Sequence, residues 1–269
     1  MSLGDLDLHL IGEGRHRRLW EVLGAHVLPM GGVRFAVWAP NARWVGVAGD
    51  WNHWDATGTP LHPVGVSGVW MGADDRAAPD DCYKFAVRGC DNVLRLKADP
   101  MARRTEVPPS NASVVAAPSA HVWGDDDWMH LRAARRSAIR PMRIYEVHLG
   151  SWQVGRSYAE LGPLLADHAE HLGFTHVELL PVAEHPFGGS WGYQVSGYFA
   201  PTARFGSPDE FRQLVDTLHQ RGIGVLLDWV PAHFPKDDWS LARFDGTALY
   251  EHEDPRRGEH PDWGTHVFN

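Results

Sequence analysis

Between Ile144 and Asp228 the apolar residues run strand, helix, strand, helix, strand, and that order restricts the chain to a handful of architectures. Ile144 to Leu149 reads as a strand, and Tyr158 to Leu172 carries a helical apolar stripe that stops at Gly173. His176 to Leu180 is a second strand, followed by a long loop from Pro181 to Phe205. The next helix, Ser207 to Arg221, brings its own start and stop signals. Ser207 stands at the N-cap, Pro208 at the first helical position, Glu210 two residues further on, and Gly222 just past the end. Gly224 to Asp228 is a third strand, apolar throughout and ending on an acid. Two strand-helix repeats followed by a strand predict parallel pairing through right-handed crossovers.

In such a sheet ligands lie outside the carboxyl ends of the strands. Asp228 sits at one of those ends, and His233 follows in a loop rich in Trp and Pro. The residues alone leave two readings open: an acid and a base for chemistry, or groups that cap a helix and fix the next loop.

Before Pro141 the pattern is different. Val33 to Trp38, Trp44 to Ala48, Gly68 to Met71 and Cys82 to Arg88 are short alternating strands, separated by Pro-Asn, Gly-Asp, Thr-Gly and Gly-Cys-Asp turn signals. Strands at this spacing predict an antiparallel, immunoglobulin-like β-sandwich. Ahead of them a short helix is expected from Arg15 to Leu23, ending at Gly24. After them come a Pro, Ala and Ser-rich stretch from Pro108 to Ala120 and an acidic run, Asp125 to Asp127, which reads as a solvated loop. The expected organisation is a helical extension over 1–27, a sandwich over 28–120, a linker over 121–140, and an α/β unit over 141–269.

Charge and composition exclude several classes of function. With 25 Lys and Arg against 34 Asp and Glu, the formal net charge is −9, which argues against a nucleic acid as main partner. The only cysteines, Cys82 and Cys90, imply neither a disulfide framework nor a metal site. No apolar run approaches the roughly 20 residues needed to span a bilayer, and the acidic start is unlike a signal peptide, so a cytoplasmic protein without membrane partners is expected. The 13 tryptophans are the informative count. Several stand in turn-rich segments, where an indole face suits the apolar face of a sugar ring better than a core.

Four segments in order then carry a family resemblance: Glu146 to Trp152, Pro181 to Phe187, Ser190 to Thr202 and Asp228 to His233. Together they resemble the α-amylase superfamily and, more narrowly, the bacterial 1,4-α-glucan (glycogen) branching enzymes. The sandwich is similar to the glucan-binding modules that precede the barrel there, with Gly49 to Asp55 and Tyr83 to Gly89 matching its signatures. The resemblance implies a TIM (β/α)8 barrel of which the first three strands are present, since a closed barrel takes about 250 residues and about half that number follows Arg140. An open sheet edge and uncovered helix faces would follow.

It also implies cleavage of an α-1,4 glucan and transfer of the segment to a 6-hydroxyl with retention, which needs two carboxyl groups about 5–5.5 Å apart. In the family these come from strands four and five, so the nucleophile Asp and the acid/base Glu are expected beyond Asn269. By the same resemblance Tyr193 stacks on the sugar, Asp228 orders the groups around the nucleophile, and His233 hydrogen-bonds a sugar hydroxyl, with Trp191 and Gln194 flanking Tyr193. Glu146 and His148 are expected to pack inside the barrel. Glu178 and Glu184 lie nearer loops and are not expected to be the paired acid and base. In the sandwich Trp54 and Lys84 match a stacking platform and a polar sugar contact, while Trp51 and Trp70 suit the core equally well. The partner implied is an α-glucan, with no cofactor and no metal. A hydrolase of the same superfamily and a non-catalytic glucan-binding fragment are the alternative readings.

Overall fold

The computed structural model describes residues 3–135 and 141–269. The chain opens with helix α1, Asp5–Gly12, and not with a helix over Arg15 to Leu23, where only a single 3-10 turn forms at Leu19–Glu21. The charges explain the difference. Asp5 and Asp7 lie in the first turn of α1, and Asp7 accepts the Gly4 N–H at 2.9 Å. A helix starting at Arg15 would instead crowd Arg15, Arg17 and Arg18 against the positive end of its dipole.

Two antiparallel sheets follow. The first joins β1 (Gly24–Val27), β2 (Val33–Trp38), β4 (His62–Pro63) and β5 (Val69–Asp74) in the order β1-β2-β5-β4. The second runs β3 (Trp44–Gly49), β6 (Cys82–Arg88), β7 (Leu94–Lys97), with β8 (Ser113–Val114) also pairing β6. Strand β1 falls inside the 1–27 segment that the sequence assigns to a helical extension, yet it pairs with β2 from Gly24 against Ala36 to Val27 against Val33.

Val33, Phe35 and Val37 of β2 meet Val45, Val47, Tyr83, Phe85 and Val87 between the sheets. On the outer face Ala36 and Val69 meet Leu8 and Ile11 of α1, so β2 is covered on both sides. Trp51 and Trp70 belong to this core. Trp51 stacks on Phe35 at 5.2 Å and donates to Thr59 and Asp74, and Trp70 donates to the Ala39 carbonyl at 3.0 Å.

The segment expected as a linker contains helix α2, Asp126–Arg135, and its residues 136–140 lie outside the described residues. Of the acidic run, Asp126 and Asp127 are exposed in the first turn of α2, and Asp125 is not. Asp125 is buried and its Oδ2 lies 2.7 Å from Nδ1 of His219, on whose ring Trp128 stacks. That histidine is more than ninety residues away, so local charge counting could not find it.

The α/β unit has three parallel strands, β9 (Ile144–Val147), β10 (His176–Leu179) and β13 (Gly224–Leu227), in the order β9-β10-β13. After β9 comes the short α3 (Leu149–Trp152), then α4 (Tyr158–Leu172); α5 (Pro208–Gln220) precedes β13. Ser157 and Ser207 each form a reciprocal capping box with the glutamate three residues on, and Gly173 ends α4 in the left-handed region. Val147, Val177 and Leu179 bury against Leu161, Leu165, Leu214 and Leu218 of these helices.

Within the long loop lies a hairpin, β11 (Ala183–Glu184) with β12 (Gly197–Pro201). The tail is also structured: β14 (His233–Pro235), the short α6 (Pro255–Gly258), β15 (Glu259–His260) and β16 (Thr265–Val267) build a small antiparallel sheet in the order β14-β16-β15. Among the described residues no strand pairs with the outer edge of β9 or of β13, and Ile144 and Leu227 stand exposed there.

Candidate functional site

The carboxyl ends of β9, β10 and β13 deliver His148, Leu180 and Asp228 to one end of the parallel sheet. The Asp228 N–H still donates to the Leu179 carbonyl at 3.0 Å, so the ladder itself fixes where its carboxylate emerges. Tyr193 reaches this end from the long loop, and its hydroxyl donates to Asp228 Oδ2 at 2.6 Å. The loop can approach because residue 192 is glycine: at φ +88, a Cβ there would stand 2.3 Å from the Pro181 carbonyl oxygen. Trp191, also left-handed, lies flat on the His148 imidazole, with centroids 4.6 Å apart and planes 9° apart. Trp191 and Tyr193 remain 49% and 41% exposed, so both rings offer a face to solvent.

Asp228 sets the chemistry of Tyr193. The carboxylate accepts the phenol's hydrogen bond and repels its anion, and with burial this pushes the phenol up to about 12. Tyr193 is therefore a neutral donor and a flat apolar surface at neutral pH. Replacing Asp228 with Asn keeps an acceptor and removes the charge, so the phenol is predicted to titrate nearer its ordinary value of about 10. Ultraviolet difference titration would show one tyrosine moving to lower pH in Asp228→Asn, and that shift should be missing in a Tyr193→Phe background. Unchanged curves would refute the pairing.

His233 is only 7% exposed, and its Nδ1 lies 2.8 Å from Thr265 Oγ1. Burial and the nearby His260 lower its pKa from the ordinary histidine value. The tail thus fixes the ring through one of its two nitrogens. Gln194 lies beside it, donating weakly through Nε2 to the Trp263 carbonyl at 3.5 Å. Trp263 and Thr265 come from the tail, and sequence reading singled out neither.

In the sandwich, Trp54 and Lys84 have different partners. Trp54 is exposed, with its indole N–H bonded to Asp50 Oδ1 at 2.9 Å. The Lys84 ammonium is instead held by Asn111 Oδ1 and lies 5.9 Å from the ring centre of Trp239, and burial lowers its pKa. Glu184 accepts five hydrogen bonds and is buried. Glu146 and Glu178 lie directly opposite each other on β9 and β10. Among the described residues no cluster of His, Cys, Asp and Glu is arranged to hold a metal ion, and no helix is long and apolar enough to cross a membrane.

Comparison with known proteins bears on this site. Residues 22–102 match the family described as carbohydrate-binding module 48 (isoamylase N-terminal domain), and residues 166–254 match the alpha amylase catalytic domain. Over its whole length the chain is 62% identical to the 1,4-α-glucan branching enzyme GlgB of Thermobifida fusca and 59% identical to that of Mycolicibacterium paratuberculosis. The whole chain is thus similar to one part of the 1,4-α-glucan branching enzymes.

It spans 37% and 38% of the length of these two relatives. A putative alpha amylase from Salmonella typhimurium is similar in fold, with a TM-score of 0.71 and 23% identity over 91% of this chain and 38% of that one. The sandwich corresponds to the match with carbohydrate-binding module 48, and β10 and β13 fall within the match with the alpha amylase catalytic domain.

Proposed function

We propose that the chain is the α-glucan-contacting first part of a glycogen branching enzyme. The complete enzyme would cleave an α-1,4 glucan and pass the segment to a 6-hydroxyl, making an α-1,6 branch by retaining double displacement. The observation that carries this reading is the Tyr193 to Asp228 hydrogen bond at the carboxyl ends of parallel strands, the end where such sheets place their ligands.

In this proposal β9, β10 and β13 are strands one to three of a TIM barrel. Tyr193 supplies the stacking surface of the subsite where the bond is cut, and Asp228 fixes the phenol and orders the space around the nucleophile. Trp191 and Gln194 form the flanks, and His233 hydrogen-bonds a sugar hydroxyl. The nucleophilic Asp and the acid/base Glu belong to strands four and five, beyond Asn269. Trp54 is the candidate sugar platform of the sandwich, and Lys84 serves the packing of the sandwich on the catalytic unit. The setting is cytoplasmic, as befits a polymer made and stored inside the cell.

The test uses the complete gene product with linear amylose. New α-1,6 linkages without net loss of polymer are expected, read by debranching and chain-length analysis. Release of short sugars with no new branches would overturn transfer in favour of hydrolysis. In the same assay Asp228→Ala should lower turnover at least about a hundredfold, because an electrostatic support of the reacting centre is worth roughly 3 kcal/mol.

A further inference from the structure

One exposed ring near the candidate site is not accounted for by the contacts described so far. Trp263 is 60% exposed although an indole is among the most rewarding side chains to bury. It is not on a loose end. It stands in the connection between β15 and β16, closed by the Gly264 N–H donating to the His260 carbonyl at 2.9 Å, with Gly264 at φ +65. On its inner side the indole packs against His260 at 4.8 Å and against His233 at 5.2 Å. Its carbonyl receives Gln194, and two residues on, Thr265 holds His233 Nδ1. The ring is thus packed on His233, and its carbonyl is tied to Gln194, the residue after Tyr193, while much of its surface stays open.

We propose that Trp263 is a second stacking platform for the glucan, placing a glucosyl unit next to the one at Tyr193 and Asp228. This rests on the glucan reading given above and extends it to a side chain of the tail sheet. An α-1,4 chain curves, so successive rings present their apolar faces in different directions. Two separately anchored aromatic surfaces, Tyr193 on the long loop and Trp263 on the tail sheet, select for a chain of that shape. Trp263 touches substrate in this scheme and moves no proton.

The experiment measures binding of maltoheptaose to the 269-residue chain by calorimetry, with cellohexaose, a straight β-1,4 chain, as control. Trp263→Ala is expected to weaken maltoheptaose binding about tenfold, the scale of one lost aromatic contact. Trp263→Tyr should bind within about threefold of the parent, and neither substitution should move the Tyr193 phenol titration. Binding by Trp263→Ala within about twofold of the parent, while Asp228→Asn binds more weakly, would overturn the platform and leave the glucan site standing. If Trp263→Ala is destabilised, Trp263→Tyr decides: a folded Tyr variant that binds as poorly as the Ala variant makes Trp263 a packing residue only. Absence of maltoheptaose binding by the parent chain would overturn the platform and the reading beneath it together.

Discussion

Glu184→Ala is expected to destabilise the fold by about 3–5 kcal/mol, the cost of removing one partner from a buried ion pair. Glu184 accepts from Thr202 Oγ1 at 3.1 Å, from Arg204 Nη1 at 2.8 Å and from the main-chain N–H groups of His185 and Ala203 at 2.9 and 2.7 Å. Its fifth donor, Thr105 at 2.9 Å, follows the last long strand of the sandwich, so one carboxylate ties the two units together. Alanine would leave the half-buried Arg204 with two carbonyls and the Thr202 hydroxyl, and strand two main-chain donors. Glu184→Gln should cost less, about 2–3 kcal/mol, because its carbonyl still accepts while its amide faces donors. Urea unfolding followed by tryptophan fluorescence measures both. Loss of less than about 1 kcal/mol in Glu184→Ala would show that the network is replaceable by water.

Glu184 also marks where the sequence stops being legible. What repeats along the chain could be read: the capping box at Ser207, the period of α4 and α5, and the apolar run of β13 are local signals, and each is present in the structure. The pairing of Tyr193 with Asp228 was reachable only through family resemblance, since 35 residues of loop, helix and strand separate them. What could not be read depends on partners far away in sequence. Asp125 looked like a solvated acid until His219 was brought to it, and Lys84 looked like a free sugar contact until Asn111 and Trp239 were. The Arg15 to Leu23 helix failed for a different reason: apolar spacing suggested it, and charge placement at its first turn opposed it. The Thr265 hydroxyl on His233 Nδ1 is another such distant partner, 32 residues along the chain.

Lys97→Ala is predicted to have the second large effect, about 3–5 kcal/mol, and its reasoning runs through two opposing terms. Lys97 ends β7, is 1% exposed, and donates its ammonium to the carbonyls of Asp238 at 2.5 Å and Ala242 at 2.6 Å. Those carbonyls lie in the loop that follows β14, so the sandwich pins the segment leading away from His233, helped by the Ala98 N–H on the Trp239 carbonyl and by Asn41 on Asp245. Two charge-assisted hydrogen bonds contribute about 1.5–3 kcal/mol each. Against them stands burial of the charge, which pulls the ammonium from 10.5 to about 8, a penalty on the order of 3 kcal/mol. The bonds win by a modest margin. Lys97→Met, which fills the space and removes both charge and bonds, should therefore cost only about 1–3 kcal/mol. Alanine adds a cavity to the two orphaned carbonyls and costs more.

The sign of the pH dependence separates this account from simple packing. Between pH about 8 and 10.5 the unfolded chain keeps a proton on Lys97 that the folded chain has released. Stability must rise with pH wherever the unfolded state holds more protons, so the penalty present below the folded pKa is relieved across this window. A neutral amine still has two hydrogens for two carbonyls, so both contacts persist in weaker form, and the lowered pKa already contains that loss. The stability gap between the parent and Lys97→Met should widen from pH 8 to pH 10 by roughly 1–3 kcal/mol, while hydrogen exchange over 236–244 is faster in the variant at both. A gap that stays constant or narrows over that range would mean the ammonium is not desolvated, and that the sandwich holds this loop by shape alone.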